Sequence, residues 1–205
     1  MWKSKSKHNI FFILLPSVCS YDWILFQRRS LKSYDLNLKN IVVSGSCNKD
    51  DISMISSSKG TSLKVTISNY YAQTDRGLMV DKKSCNLAIP LTLEKGKQIG
   101  LYQMEYKGYT WIPRQTGSST EFNIDYYFSG IKGRTIEKEF HHEEDIFVSE
   151  NVPTIWSSCG GSTTFEINSS IYAKKTHDDH LDSYIKINSS ESISLAYWFY
   201  ERSCS

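Results

Sequence analysis

The sequence predicts an all-β fold, an antiparallel β-sandwich of jelly-roll or immunoglobulin-like topology stapled by disulfides, with a β-barrel as the alternative closure. Three observations lead there: apolar and polar residues alternate with a period of two, turn-forming clusters separate the alternating runs, and the cysteines beyond the first make an even set. Thirteen Tyr, nine Phe and five Trp, with many Ser, Thr, Ile and Val, suit a pleated, half-buried surface better than a helix.

The N-terminal stretch reads as an address. Lys3, Lys5 and Lys7 precede the apolar run Ile10-Phe11-Phe12-Ile13-Leu14-Leu15, and Pro16, Ser17, Cys19 and Ser20 follow, the order of a secretory signal. Residues 1–19 are expected to be that signal, residues 20–39 a linker, and residues 40–204 one secreted domain. The apolar run is too short for the roughly 20 residues that cross a bilayer, so no stable membrane span is expected.

Within the domain, Leu63, Val65 and Ile67 alternate with Ser62, Lys64, Thr66 and Ser68. Leu87, Ile89, Leu91 and Leu93 repeat the pattern, with Pro90 arguing for an edge or a bulge because it has no N–H to give a ladder. Phe122, Ile124, Tyr126 and Phe128 form a third run, Phe165, Ile167, Ser169 and Ile171 a fourth, and Ile193, Leu195, Tyr197 and Phe199 a fifth. Clusters such as Ser56-Ser57-Ser58-Lys59-Gly60 and Cys159-Gly160-Gly161-Ser162 mark turns between them. Only the charged stretch from Ile136 to Asp145 approaches a helical pattern.

Removal of the signal leaves Cys47, Cys85, Cys159 and Cys204, with no C-x-x-C pair, so disulfides are expected rather than zinc. Four cysteines allow three connectivities; the expected one is Cys47–Cys85 with Cys159–Cys204. The net charge of +2 comes from nearly balanced acids and bases, and no block of Lys and Arg interrupts the domain. No nucleic-acid partner is expected.

The contexts of these cysteines carry a resemblance. Gly45-Ser46-Cys47, Ser68-Asn69-Tyr70-Tyr71-Ala72-Gln73, Lys82-Lys83-Ser84-Cys85-Asn86-Leu87, Tyr106-Lys107-Gly108-Tyr109, Tyr126-Tyr127-Phe128-Ser129-Gly130, Trp156-Ser157-Ser158-Cys159-Gly160, Phe165-Glu166-Ile167-Asn168, Tyr197-Trp198 and Arg202-Ser203-Cys204 follow in order. This series resembles the family called Domain of Unknown Function 4360. The departures are Ser46 and Asn48 beside the first cysteine, where the family often has Gly and Pro, and a closing basic residue farther from the Trp. The resemblance implies a small secreted protein of a kind found mostly in fungi and bacteria, with no assigned biochemical activity.

Candidate sites are few. His177, Asp178, Asp179 and His180 have the chemistry of a metal site on a loop, while His141, His142, Glu143, Glu144 and Asp145 read as a solvated charged stretch. No G-x-S-x-G, H-E-x-x-H or phosphate loop is present, so no catalytic residue is assigned and no cofactor is expected. Asp125 with Glu121 is one of many acid pairs whose separation a sequence leaves open. Tyr70, Tyr71, Tyr106, Tyr109 and Trp111 fall near strand ends, where exposed rings stack on sugars, although filling the core rim is the stronger expectation for such rings. Asn168 and Asn188 head sequons for N-glycosylation, and alternation turns Asn168 away from Phe165 and Ile167, towards solvent. The leading expectation is a non-enzymatic extracellular binding module, with cell-wall or surface carbohydrate as its candidate partner. A secreted hydrolase or metal-dependent enzyme built on the His and acid clusters is the alternative.

Overall fold

The computed structural model describes residues 34–75, 78–114, 117–176, 183–186 and 195–204. The expected signal, the candidate metal set His177, Asp178, Asp179 and His180, and the sequon residue Asn188 lie outside these residues.

The strands are β1 (Tyr34–Leu36), β2 (Val42–Gly45), β3 (Ile52–Ser56), β4 (Ser62–Ile67), β5 (Tyr71–Gln73), β6 (Val80–Leu93) and β7 (Lys97–Trp111). They continue with β8 (Ser119–Phe128), β9 (Ile131–Lys132), β10 (Ile136–Phe140), β11 (Glu144–Trp156), β12 (Gly161–Lys174), β13 (Tyr184–Lys186) and β14 (Leu195–Ser203). One turn of 3-10 helix, Lys49–Asp51, is the only helical segment among the described residues. The stretch from Ile136 is therefore strand: Ile136 faces the core while Glu137 and Glu139 point out.

Two antiparallel sheets result, and they do not close into a barrel. The first runs β1–β6–β12–β8–β10, with β2 also on β6 and β9 also on β8. The second runs β3–β4–β14–β7–β13–β5, with β11 on the far edge of β7. β1 falls inside the expected linker, yet its Tyr34 and Leu36 are buried, so sheet structure starts before residue 40.

Pro90 corrects the expectation of an edge or bulge. It lies in β6, a strand paired on both sides, and its ring nitrogen meets the gap between β1 and β2, where no ladder donor is required; its carbonyl accepts from Asn37 N at 2.8 Å.

The core fills the space between the sheets because alternation sends every second side chain inward. Phe165 of the first sheet meets Tyr197 and Phe199 of the second at centroid distances of 5.5 and 5.3 Å, both edge-on, and Phe128 at 5.0 Å within its own sheet. Tyr106 meets Phe122 across the same gap at 4.8 Å. Ser129 and Gly130, with φ of 47° and 82°, form the tight turn from β8 to β9. Two successive positive φ values match the hairpin twist.

Both disulfides join the expected partners, Cys47–Cys85 and Cys159–Cys204. The first ties the loop after β2 to β6. Gly45 turns the chain into it with φ of 99°, where a Cβ would lie 2.4 Å from the Ser84 carbonyl oxygen, so only glycine fits. The second joins the loop entering β12 to the residue after β14, and so links the two sheets at one end. The loops span 38 and 45 residues, for which chain entropy assigns about 4 kcal/mol each.

Candidate functional site

The five candidate aromatics separate by strand parity. Tyr70 is buried at the turn before β5, with its hydroxyl 3.2 Å from Ser169 Oγ, and burial pushes its phenol pKa up. Tyr106 is wholly buried and donates to Met104 Sδ at 3.3 Å, and burial likewise raises its pKa. Neither offers a ring to a ligand, which corrects their assignment as contact residues. Tyr71, one residue from Tyr70, and Tyr109, three from Tyr106, necessarily face the other way.

Tyr71, Tyr109 and Trp111 do come together, on the outer face of the second sheet. Cross-strand register sets Tyr109 opposite Lys186 and Lys186 opposite Tyr71, with Trp111 opposite Tyr184 in the next row. Trp111 and Tyr184 lie nearly parallel, 15° between planes and 5.9 Å between centroids, and Tyr109 is 5.9 Å from Tyr184. Tyr71 is 47% exposed at the border of the group. Tyr109 donates to the Glu143 carboxylate, and that hydrogen bond holds its phenol well above the usual tyrosine pKa. Tyr184 escaped the sequence reading because only the pairing of β13 with β7 brings it to this place.

At the other end of the same face the rings are engaged with one another or with cations. Tyr102 stacks on Tyr200 at 3.8 Å, Arg202 lies 3.8 Å over Trp156, and Lys107 lies over Phe147 at 5.3 Å.

The outer face of the first sheet has a different character. Asn86, Asn168 and Asp125 form one row across β6, β12 and β8, and Ser84, Ser170 and Asn123 form the next. Longer side chains flank these short ones: Glu166 with Tyr127 on one side, and Lys82, Tyr172 and Glu121 on the other. Two shallow depressions of about 240 and 230 Å³ result, sharing Asn86 and Asn168. Asn168 thus faces outward but is half-buried in the depression.

Charges at the border of this face are paired. Lys132 bridges to Asp125 at 2.9 Å, Thr135 Oγ1 donates to Asp125 at 2.6 Å, and Lys174 binds Glu121. Burial pushes the Glu121 pKa up, but hydrogen bonds from Lys174 and Asn123 and the charges of Lys174 and Lys82 outweigh it and hold the carboxyl below its ordinary value. Asp125 and Glu121 sit four residues apart along one strand, a spacing of roughly 14 Å. Paired glycosidase carboxyls stand only about 5–9.5 Å apart, so this pair does not suit that chemistry.

His141, His142 and Glu143 link β10 to β11 and are exposed. Among the described residues no group of three or more His, Cys, Asp or Glu side chains is placed to hold a metal ion. No helix of the described residues is long and apolar enough to cross a membrane.

Comparison with known proteins bears on identity. The model of the family described as Domain of unknown function (DUF4360) matches residues 34–204. The chain belongs to this family. One curated relative, an uncharacterized secreted protein of Arthroderma benhamiae, is 28% identical over 137 residues, 61% of this chain and 54% of its own length. The chain thus spans about half of the relative it matches. Among solved structures, this DUF4360 chain is similar to TmCBM61 in complex with beta-1,4-galactotriose, at 14% identity and a TM-score of 0.30, covering 81% of this chain and 90% of that one. The Agl-KA catalytic domain matches at 10% identity and a TM-score of 0.23, covering 80% of this chain and 28% of that one.

Proposed function

We propose that this DUF4360 protein is a secreted binding module that takes carbohydrate on the aromatic group of the second sheet. The observation that carries the reading is the gathering of Tyr71, Tyr109, Trp111 and Tyr184 on three adjacent strands at the surface. Rings on paired strands have their orientation fixed before a ligand arrives, so little side-chain entropy remains to be lost on stacking. Sugar rings present apolar C–H faces that suit such a surface, and the Glu143–Tyr109 hydrogen bond holds one ring in place. The two disulfides fit an extracellular location, as does the secreted relative.

Retention of the purified protein on insoluble cell-wall polysaccharides tests the reading. Trp111→Ala is expected to weaken retention by about tenfold, the upper range for loss of an aromatic contact, with Tyr109→Ala acting in the same direction. Unchanged retention in both variants, or no retention of the native protein on any wall polysaccharide, would overturn it.

A further inference from the structure

We infer that the outer face of the first sheet is a second, separate binding site, for a short stretch of neutral, linear oligosaccharide. The inference starts from hydrogen bonds that the protein does not make. The side-chain amides of Asn86 and Asn168, the hydroxyls of Ser84 and Ser170 and the carboxylate of Glu166 line the two depressions, yet none has a hydrogen-bond or ion-pair partner among the described residues. Asn123 Nδ2 donates to Glu121 Oε1 at 2.6 Å, which fixes the orientation of that amide. Its Oδ1 is buried with no partner at all. Half-buried polar groups without partners are costly unless something outside the protein satisfies them, either water or a ligand that brings its own hydroxyls.

The chemistry of these groups selects the ligand. Each Asn offers two donors and an acceptor, each Ser one donor and acceptor capacity, and Glu166 only acceptors, a mixture that complements vicinal hydroxyls, which both donate and accept. Charge disfavours the acidic sugars: Lys132 and Lys174 are paired with Asp125 and Glu121, which leaves Lys82, 4.9 Å over the Tyr172 ring, as the cation that lines a depression. Glu166 lines one depression, and Glu137 and Glu139 stand on β10 opposite Asn123 and Glu121, so carboxylates outnumber ammonium groups around the two rows and a uronate or sulfated chain meets net repulsion. Length favours a chain over a single sugar. The continuous depressions cross from β2 to β8, three strand spacings or roughly 14 Å. Tyr127 and Tyr172 bracket the polar rows with partly exposed rings. All of these residues stand on strands β6, β12 and β8 in the interior of the sheet, so the array is rigid before binding.

The test uses the folded, disulfide-bonded protein with Asn168 shown to be unmodified by intact mass. Hexasaccharides of β-1,3- and β-1,4-linked glucose and of β-1,4-linked mannose are titrated while the side-chain amide NMR signals of Asn86, Asn123 and Asn168 are followed, with oligogalacturonate as the acidic counterpart. At least one neutral hexasaccharide is expected to shift these signals, and Asn86→Ala and Asn168→Ala each to weaken its binding by about tenfold, a loss typical of hydrogen-bonding groups. The inference fails if no neutral hexasaccharide moves the amides, if oligogalacturonate moves them more strongly, or if both variants bind like the native protein. The amide signals report this face alone, so the result is independent of what Trp111→Ala does on the other.

Discussion

The two outward faces share one core but dispose of their side chains in opposite ways. On the second sheet the rings meet one another or a cation: Tyr102 with Tyr200, Trp111 with Tyr184, Trp156 with Arg202. On the first sheet the side chains of Asn86, Asn168, Ser84 and Ser170 meet no hydrogen-bond partner among the described residues. Cross-strand pairs stabilise a sheet and also offer area to a ligand, whereas unpaired amides in a depression contribute little to folding and much to recognition. Stability and binding should therefore be coupled on one face and separable on the other.

The largest effect expected is one that tests whether the faces belong to a single mechanical body. Phe165→Ala removes the ring that meets Phe128, Tyr197 and Phe199, and should cost about 3–5 kcal/mol in urea unfolding. Loss of order in one sheet with the other intact would break the comparison, since each face would then have its own support. A smaller effect separates the faces directly. Tyr200→Ala should cost about 0.5–1.5 kcal/mol beyond its buried area, while Asn168→Ala should stay within about 0.5 kcal/mol of the native protein. Equal costs would erase the distinction drawn between paired and unpaired surfaces.

The smallest effect concerns acid. Because Glu121 has a folded pKa below its unfolded value, its contribution is present above that unfolded value and is lost as pH falls through the folded one. Lys174→Met should raise the Glu121 pKa, read by carboxyl NMR titration, and make stability fall less steeply on the acid side, by under about 1 kcal/mol for so exposed a pair. An unmoved Glu121 titration would mean that Asn123 and the Lys82 charge set it without Lys174.

Much of the fold was legible in the sequence because its strands alternate cleanly. Leu63, Val65 and Ile67, or Phe122, Ile124, Tyr126 and Phe128, announce one buried face and therefore a strand. The same parity contained more than the sequence reading took from it: Tyr106 and Tyr109 cannot share a face, nor can Tyr70 and Tyr71, so two of the five candidate aromatics had to be interior. What parity does not contain is register. Asn86, Asn168 and Asp125 stand side by side only because β12 lies between β6 and β8, and nothing near any of the three positions announces the other two. Pro90 shows a related limit. A residue without an N–H excludes a partner at one point of one edge, and the gap between β1 and β2 satisfies that condition inside a sheet.

The Cys47–Cys85 bond encloses β3, β4 and β5, which all leave the first sheet to complete the second before the chain returns as β6. The whole excursion is a covalently closed ring with its neck tied. A protease that severs any single peptide bond within it releases nothing: both fragments stay attached, and only a reducing agent parts them. Outside a cell, where cleavage is frequent and resynthesis absent, a cut molecule of this design keeps all its parts in place.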